Sequence, residues 1–234
     1  MELKNAKVLV TGGSSGIGLE TAKELIKNGA KVAITGRDKS KLLKIAAEIG
    51  AEPIWADASN ETEAIAMVKT VIEKFGSFNV LINNAAYGTF GNLVDIDTKK
   101  FMDLFATNVI GAMLAGRESA KHFIANNYGN IINISSTAGN AGFAGGTTYV
   151  ASKFALKGMT ECWRAELRKH NIRVMLVNSS EVQTNFLPNA GLQLRPENDT
   201  KLEAQEIAHL IISMLTMRDR GFITEATVFA TNPQ

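Results

Sequence analysis

The chain has 234 residues and a formal net charge of +2, with 25 basic residues against 23 acidic ones. The basic residues are scattered, so neither a nucleic-acid nor a membrane-surface partner is supported. Hydrophobic residues make up 45%, which allows a substantial core. The single cysteine, Cys162, excludes an intramolecular disulfide and suits a reducing compartment, and no apolar run reaches the roughly 18 residues of a membrane span. These observations predict a cytoplasmic protein.

Short apolar runs alternate with longer segments of helical periodicity along the whole chain. The predicted strands lie at 7–11, 31–35, 53–56, 78–83, 130–135, 171–178 and 226–230. The predicted helices lie at 17–27, 39–49, 61 to about 75, about 98–126, about 148–169 and about 203–217. Before the third helix, Asn60 together with Glu63 predicts a capping box.

The predicted strands read as continuous apolar runs, which is typical of strands covered on both faces. Together with the β-α alternation, this predicts an α/β fold with a parallel sheet and helices on both of its faces. No repeat or linker-like stretch divides the chain, so we expect a single domain over 1–234. The one long irregular region, at about 184–200, is either a lid or binding loop or simply a mobile segment.

The stretch TGGSSGIG at 11–18, here called the glycine turn, joins the first strand to the first helix. Its glycines lack side chains where the backbone could approach a pyrophosphate, and the helix N-terminus that follows favours an anion. The spacing differs from the standard G-x-G-x-x-G fingerprint, and a tight turn without a ligand is the alternative. Its position after the first strand of an α/β chain favours a dinucleotide. The residues predicted to contact it are Gly12, Ser14, Ser15, Gly16, Ile17 and Gly18.

The end of the second strand, AITGRD at 33–38, bears on the choice of cofactor. An acidic residue there would bind the ribose 2′-hydroxyl of NAD, whereas an arginine accommodates the 2′-phosphate of NADP. Gly36 occupies the place expected for the acid and Arg37 follows it, which favours NADP, as NADPH. The alternatives are that Arg37 is a solvated charge and that Asp38 is the acid, displaced by two residues. We interpret Asp38 as a helix-start residue.

Tyr149 and Lys153 stand four residues apart in TTYVASKFALKG at 147–158, so a helix places both on one face. Taken alone, such a pair is typical of a solvated helix surface. If the two are close and shielded, the ammonium would lower the tyrosine pKa by about two or three units, towards the pH at which an acid/base catalyst works best. The histidines, at 122, 170 and 209, lack metal-ligand spacing, and we predict no metal site.

Five features taken together resemble the short-chain dehydrogenase/reductase family: TGGSSGIG at 11–18, NNAA at 83–86, Asn108, Ser136 and YVASK at 149–153. Ser136 precedes Tyr149 by thirteen residues, which is the usual interval in that family. The resemblance implies a Rossmann-like doubly wound sheet of about seven parallel strands, assembled as a homodimer or homotetramer. It also implies hydride transfer between a nicotinamide cofactor and a small carbonyl or alcohol substrate, without a metal.

The same resemblance gives each matching residue a role. Tyr149 would be the general acid/base, and Lys153 would bind the nicotinamide ribose and lower the tyrosine pKa. Ser136 would hydrogen-bond the substrate carbonyl, and Asn108 would hold a water in the proton relay. The remaining matches would contact the cofactor: Asp57 near the adenine, Asn84 and Ala85 on the adenosine side, and Val182 and Thr184 at the nicotinamide carboxamide.

Two segments depart from the family's pattern. Ala86 stands where the family usually has glycine, and Ser179-Ser180 stands where it typically has Pro-Gly, in a turn that passes close to the nicotinamide. A changed turn there could alter the cofactor's pose or the substrate pocket. Because Val182 and Thr184 remain in register, we expect this loop still to contact the nicotinamide carboxamide.

These observations predict an NADPH-dependent carbonyl reductase or alcohol dehydrogenase. A 3-oxoacyl thioester is one candidate substrate, and sugar alcohols, steroids, pteridines and simple aldehydes or ketones are others. An apolar lid would favour an acyl or other hydrophobic substrate, unless its residues only pack: Phe186, Leu187, Leu192 and Leu194. The alternative is a catalytically inactive nucleotide-sensing or scaffold protein of the same fold, which would have no need of a proton relay.

Overall fold

The computed structural model describes residues 1–193, 196 and 198–232. A seven-stranded parallel sheet runs through it in the order β3-β2-β1-β4-β5-β6-β7. The strands are β1 (Lys7–Val10), β2 (Lys31–Gly36), β3 (Glu52–Trp55), β4 (Val80–Asn83), β5 (Gly129–Ser136), β6 (Ile172–Ser179) and β7 (Glu225–Val228).

Helices connect the strands. They are α1 (Gly16–Lys27), α2 (Lys39–Ile49), α3 (Glu61–Phe75), α4 (Thr98–Phe105), α5 (Ala112–Ala125), α6 (Thr147–Leu167), α7 (Phe186–Asn189) and α8 (Ala204–Thr216). Short 3₁₀ turns occur at Leu3–Asn5, Leu93–Asp95, Thr137–Gly139 and Arg168–His170.

The sheet separates two hydrophobic cores, because successive residues of a strand point to opposite faces. In β1, Val8 and Val10 face a core shared with α1 and α8, and Leu9 faces a second core shared with α3 and α5. All three side chains are fully buried. Burial on both faces explains the continuous apolar runs, and the predicted Rossmann-like fold is confirmed.

Strand β1 lies between β2 and β4, so the chain reverses its direction of winding at this point. Leu9 stands opposite Ala33 on one side and Leu81 on the other. In such sheets the crevice beyond the carboxyl ends of the two central strands is where ligands bind. The site predicted from the sequence therefore belongs at the carboxyl edge of β1, β4 and β5.

The helix predicted at about 98–126 is interrupted by a π-helical turn over Ala106–Gly111. Two contacts accompany it. Asn108 turns its side chain to the backbone of Tyr87, and Gly111 packs so closely that a Cβ there would lie 2.6 Å from Ala58 O. Neither contact has a signature in helical periodicity, so the interruption could not be predicted from the sequence pattern.

Of the capping interactions predicted at the starts of α2 and α3, the first is present and the second is only half formed. Asp38 caps α2 by accepting a hydrogen bond from Lys41 N, as expected of a helix-start residue. At α3, Asn60 accepts from Glu63 N, but the Glu63 carboxylate accepts from Asp57 N at 2.7 Å. The predicted capping box is therefore half right, because the Asp57 amide takes the place that the Asn60 amide would have.

Within the described residues, no helix is long and apolar enough to cross a membrane. A search of the same residues finds no group of three or more His, Cys, Asp or Glu side chains arranged to hold a metal ion.

Candidate active site

The glycine turn connects the carboxyl end of β1 to the start of α1, and close packing explains its glycines. Gly12 and Gly16 adopt φ of 66° and 55°, a left-handed conformation that a side chain disfavours. A Cβ at Gly18 would lie 2.4 Å from Asn84 Nδ2, and a Cβ at Gly12 would lie 2.9 Å from Ala85 Cα. Three of the predicted turn residues are thus glycine for identifiable steric reasons.

Asn84 and Thr11 fasten the glycine turn to the end of β4. The Asn84 amide donates to Thr11 O at 3.0 Å and to Gly12 O at 3.1 Å. In return, Thr11 Oγ1 accepts from the backbone N–H groups of Asn84 and Ala85. The Asn84 side chain is therefore committed to holding the turn, a supporting role that its sequence motif alone did not indicate.

The first turn of α1 points its N–H groups towards the same crevice. Ser15 is the N-cap residue, but its side chain makes no capping hydrogen bond. Helical N–H groups without a cap favour an anion. The Ile17 side chain packs against the core that contains Val8 and Val10. Only the backbone of Ile17 is therefore available to a ligand. Thr184 faces the turn, since a Cβ at Gly16 would lie 3.4 Å from its Cγ2.

The end of β2 adjoins the glycine turn. A Cβ at Gly36 would lie 3.0 Å from Ser14 Oγ, so a side chain here would crowd the Ser14 hydroxyl. Arg37 is exposed, and its guanidinium lies 5.9 Å from the centre of the Tyr87 ring. Trp55 Nε1 donates to Arg37 O at 3.0 Å, which fixes the backbone from which the guanidinium extends.

Asp57 lies in the loop between β3 and α3, where its carboxylate accepts from the Ser59 backbone N–H and hydroxyl. Val182 pairs with Leu202 in an isolated parallel bridge. This bridge ties the start of the 184–200 segment to the residues after it. Where the family typically has Pro-Gly, Ser180 N donates to Val228 O at 2.9 Å and extends the pairing of β6 with β7.

Ser136, Tyr149 and Lys153 converge at the carboxyl end of β5. Ser136 closes this strand, and its side chain lies near enough to Tyr149 to lower the pKa of the phenol. In the structure Ser136 Oγ accepts from Ala138 N at 3.2 Å. Lys153, one turn along α6, has its ammonium 5.6 Å from the centre of the Tyr149 ring and donates to Ile134 O at 2.9 Å. Tyr149 is 9% exposed and Lys153 is 3% exposed, so the pair is not on a solvated helix face.

The pKa of Tyr149 differs from the sequence expectation. Burial raises it to about 12, and the hydrogen bond with Ser136 opposes this rise. Burial likewise lowers the pKa of Lys153 to about 8. The prediction of a net lowering of the tyrosine pKa is wrong for this structure, because removal of water from the phenolate outweighs the stabilisation that an ammonium directed at a backbone carbonyl can give. At neutral pH the phenol is therefore protonated and ready to donate.

Asn108 lies in the π-helical turn and is buried. Its Oδ1 accepts from Tyr87 N, and its Nδ2 donates to Tyr87 O and to Ser152 Oγ. Ser152 belongs to α6, three residues after Tyr149. Asn108 thus joins the loop after β4 to the helix that carries the tyrosine, and its predicted role of holding a water stays a prediction.

Two phenylalanines contact Tyr149, and a third contacts one of them. The ring centres of Phe90 and Phe186 lie 5.7 Å and 5.3 Å from that of Tyr149, and Phe143 lies 6.2 Å from Phe90. We call these three residues the phenylalanine cluster. Of the predicted lid residues, Phe186 is in this cluster, Leu187 is half-buried, Leu192 is 46% exposed and Leu194 lies outside the described residues.

Comparison with known proteins decides the family. The family model for short chain dehydrogenases matches residues 6–195. The chain belongs to the short-chain dehydrogenase/reductase family. It is therefore an oxidoreductase.

Among curated members of the family, an uncharacterized oxidoreductase of Bacillus subtilis is 35% identical over 193 residues. That match covers 79% of this chain and 54% of the relative, so this chain spans about half of that relative's length. An NADP-dependent 3-hydroxy acid dehydrogenase of Schizosaccharomyces pombe is 31% identical over 245 residues, covering 98% of this chain and 94% of the relative.

Solved family structures agree along the whole chain. A metagenomic short-chain oxidoreductase in complex with NADP is 33% identical with a TM-score of 0.86, covering 99% of this chain and 100% of that one. A 3-ketoacyl-(acyl-carrier-protein) reductase from Brucella melitensis complexed with NADH is 26% identical with a TM-score of 0.89, covering 98% of each chain. These two neighbours are complexes with different nicotinamide cofactors.

Sequence reasoning missed several site residues. Tyr87 stands beside Arg37, Thr11 holds Asn84, and Phe90 and Phe143 lie around Tyr149. The position of Tyr87 directly after NNAA could have signalled proximity to the cofactor crevice. Phe90 and Phe143 belong to irregular loops, where no periodicity indicates the direction of a side chain.

Proposed function

We propose that this chain is an NADPH-dependent carbonyl reductase, able to run in reverse as an alcohol dehydrogenase. The observation that carries the proposal is the convergence of three side chains: Tyr149 is buried, Ser136 lies beside it, and the Lys153 ammonium is 5.6 Å from the centre of its ring. The segment 184–186 links this group to the nucleotide crevice, since Thr184 faces Gly16 and Phe186 faces Tyr149. A proton donor and an anion-binding turn are thereby neighbours.

The residues of the crevice suit a dinucleotide. The left-handed glycines and the uncapped N-terminus of α1 leave backbone N–H groups for a pyrophosphate, and Ser14 with Arg37 provides a hydroxyl and a cation beside the end of β2. A guanidinium binds phosphate in a bidentate manner, which supports NADPH over NADH. The remaining predicted contacts are Ile17, Asp57, Ala85 and Val182.

In carbonyl reduction, bound NADPH supplies a hydride to the carbonyl carbon. The protein supplies the proton and the polar environment. Tyr149 donates its phenolic proton to the carbonyl oxygen, and Ser136 donates a hydrogen bond to the same oxygen. With its pKa raised, Tyr149 is protonated at neutral pH, as an ordinary tyrosine is, so the proton that the reducing direction needs is present. The Lys153 ammonium stabilises the tyrosinate that forms after transfer.

The narrower hypothesis of a 3-oxoacyl-thioester reductase is supported by the names of two relatives, a 3-hydroxy acid dehydrogenase and a 3-ketoacyl-(acyl-carrier-protein) reductase. A lid at 184–200, a single domain, a cytoplasmic location and a homodimer or homotetramer stay predictions. No observation favours a nucleotide-sensing or scaffold role.

The test is to incubate the protein with NADPH and a panel of aldehydes, ketones and 3-oxoacyl thioesters, and to follow the loss of NADPH absorbance. We expect carbonyl-dependent consumption with at least one member of the panel, and slower consumption when NADH replaces NADPH. Tight NADPH binding without consumption by any carbonyl compound would favour the inactive alternative.

A further inference from the structure

The phenylalanine cluster brings together residues from three separate connections. Phe90 follows β4, Phe143 lies between β5 and α6, and Phe186 opens α7. The rings of Phe90 and Phe186 are inclined at 58° and 59° to that of Tyr149, and each lies within contact distance of it. Rings at such separations and angles attract one another beyond the burial of their area. The surroundings of the Tyr149 ring therefore favour an aromatic neighbour.

Gly88 shows how tightly the two inner rings meet. A Cβ on this buried glycine would lie 2.9 Å from Phe186 Cζ and 2.9 Å from Phe90 Cε2. Phe143 is the outer member, with 52% of its surface exposed. The cluster thus runs from Tyr149 outwards to solvent.

The same surroundings disfavour charge. Burial and the Ser136 hydrogen bond are what shift the pKa of Tyr149, and the nearby Lys153 ammonium is directed at Ile134 O. The three side chains that make up the cluster are uncharged. A carboxylate or phosphate among them would lose its hydration without gaining an ionic partner from the cluster.

We propose that the substrate is an aryl ketone or aryl aldehyde without a charged group near its carbonyl, bound with its aromatic ring among Phe90, Phe143 and Phe186. This inference rests on the proposed function and narrows its substrate class. The substrate ring takes the place that Phe186 holds against Tyr149, and Phe186 then covers the outer face of that ring. The carbonyl oxygen reaches the hydroxyls of Ser136 and Tyr149.

Two matched substrate pairs test the two parts of the proposal. Acetophenone and cyclohexyl methyl ketone differ in aromaticity, and ethyl benzoylacetate and benzoylacetate differ in charge. We expect kcat/KM for ethyl benzoylacetate to exceed that for benzoylacetate by roughly 100-fold or more, because the cluster cannot pair a carboxylate. Unreactive benzamide should bind the protein–NADP⁺ complex about 2- to 10-fold more tightly than cyclohexanecarboxamide.

Phenyl and cyclohexyl ketones differ in intrinsic reactivity, so the deciding quantity is the change in their kcat/KM ratio between variants. Phe90→Leu and Phe186→Leu should each lower the acetophenone-to-cyclohexyl ratio by about 2- to 10-fold. Phe75→Leu is the control, since Phe75 packs at the carboxyl end of α3, where its carbonyl meets Lys7 at the start of β1. A loss of packing alone, as in Phe75→Leu, would change the stability of the protein without changing the acetophenone-to-cyclohexyl ratio of kcat/KM values.

The outcomes separate this inference from the function on which it rests. If no carbonyl compound consumes NADPH, the proposed function fails and the inference fails with it. If the ketones are reduced but benzoylacetate matches its ester, or the two leucine variants keep the wild-type ratio, the substrate class is wrong while carbonyl reduction stands.

Discussion

The glycine turn and the phenylalanine cluster lie at the same edge of the sheet, but different interactions hold them. Hydrogen bonds and backbone conformation hold the turn, as in the bonds from the Asn84 amide to Thr11 O and Gly12 O. Ring packing between three connections holds the cluster. Directional bonds fix a backbone to within a few tenths of an ångström, whereas ring contacts tolerate different partners. The turn is therefore suited to one invariant cofactor and the cluster to a variable substrate.

Tyr149 belongs to both regions, and Ser136 is the residue that joins it to the reacting oxygen. We expect Ser136→Ala to lower kcat by roughly 100- to 1,000-fold, because one positioned donor to the developing oxyanion is lost. Affinity for NADPH should change little. The control is Ser135→Ala, because this neighbouring hydroxyl is buried and has no hydrogen-bond partner among the described residues. Steady-state kinetics with equal losses in the two variants would contradict the assignment.

At the other end of the crevice, Arg37 distinguishes the cofactors. Arg37→Ala should weaken NADPH binding by about 10- to 100-fold and leave NADH binding nearly unchanged, since a charge-assisted contact with the 2′-phosphate is worth about 1.5–3 kcal/mol. Calorimetric titration of both cofactors measures the effect. Lys39→Ala removes an exposed positive charge two residues along and serves as the matched control. Equal weakening of NADH and NADPH would refute the phosphate contact.

The hydrogen bonds of Asn84 test whether the turn is held as described. Asn84→Ala removes two bonds to the turn and should weaken NADPH binding by about 5- to 150-fold, from roughly 0.5–1.5 kcal/mol for each bond. The ratio of kcat/KM values between substrates should not change. Asn79→Ala is the control, because Asn79 makes similar bonds to the backbone of Asn5 and Lys7 at the opposite edge of the sheet. If both variants weaken NADPH equally, the loss is one of general stability.

Lys153 should affect stability rather than turnover, through a pH dependence of unfolding in the cofactor-free protein. The unfolded chain keeps the proton up to the ordinary pKa of 10.5, whereas the folded chain releases it at about 8. Between these values the unfolded state binds more protons, so the free energy of unfolding rises with pH by at most about 1.4 kcal/mol per unit, and the destabilisation is complete below 8. Lys153→Met should remove this slope.

Denaturant unfolding at a series of pH values measures the slope in the wild type and the variant. Lys157→Met provides the control, since Lys157 lies one turn further along α6, is 30% exposed and pairs with Glu225 at 3.3 Å. A wild-type slope that persists in Lys153→Met would show that the lysine is not the buried group responsible.

Which features of the site could be predicted from the sequence depends on the same contrast between the two regions. The turn and the Tyr149–Lys153 pair could be predicted because local spacing carries their geometry: a strand, a turn, a helix, and a spacing of four from tyrosine to lysine. Ser136 was predicted from the family resemblance. The raised pKa of Tyr149 could not, because it results from the burial around a side chain that Phe90 and Phe186 contact from different connections. The π-helical turn at Ala106–Gly111 could not be predicted either, since it accompanies contacts with the distant residues Ala58 and Tyr87.

Tyr149→Phe tests the central claim most directly, because it removes the hydroxyl and keeps the ring that Phe90 and Phe186 contact. The measurement is the rate of carbonyl-dependent NADPH consumption at saturating substrate, beside the dissociation constant of NADPH for the same preparation. We expect the rate to fall by at least roughly 100-fold while the dissociation constant stays within about 3-fold of the wild type. A variant that reduces the carbonyl compound at the wild-type rate would show that Tyr149 is not the proton donor.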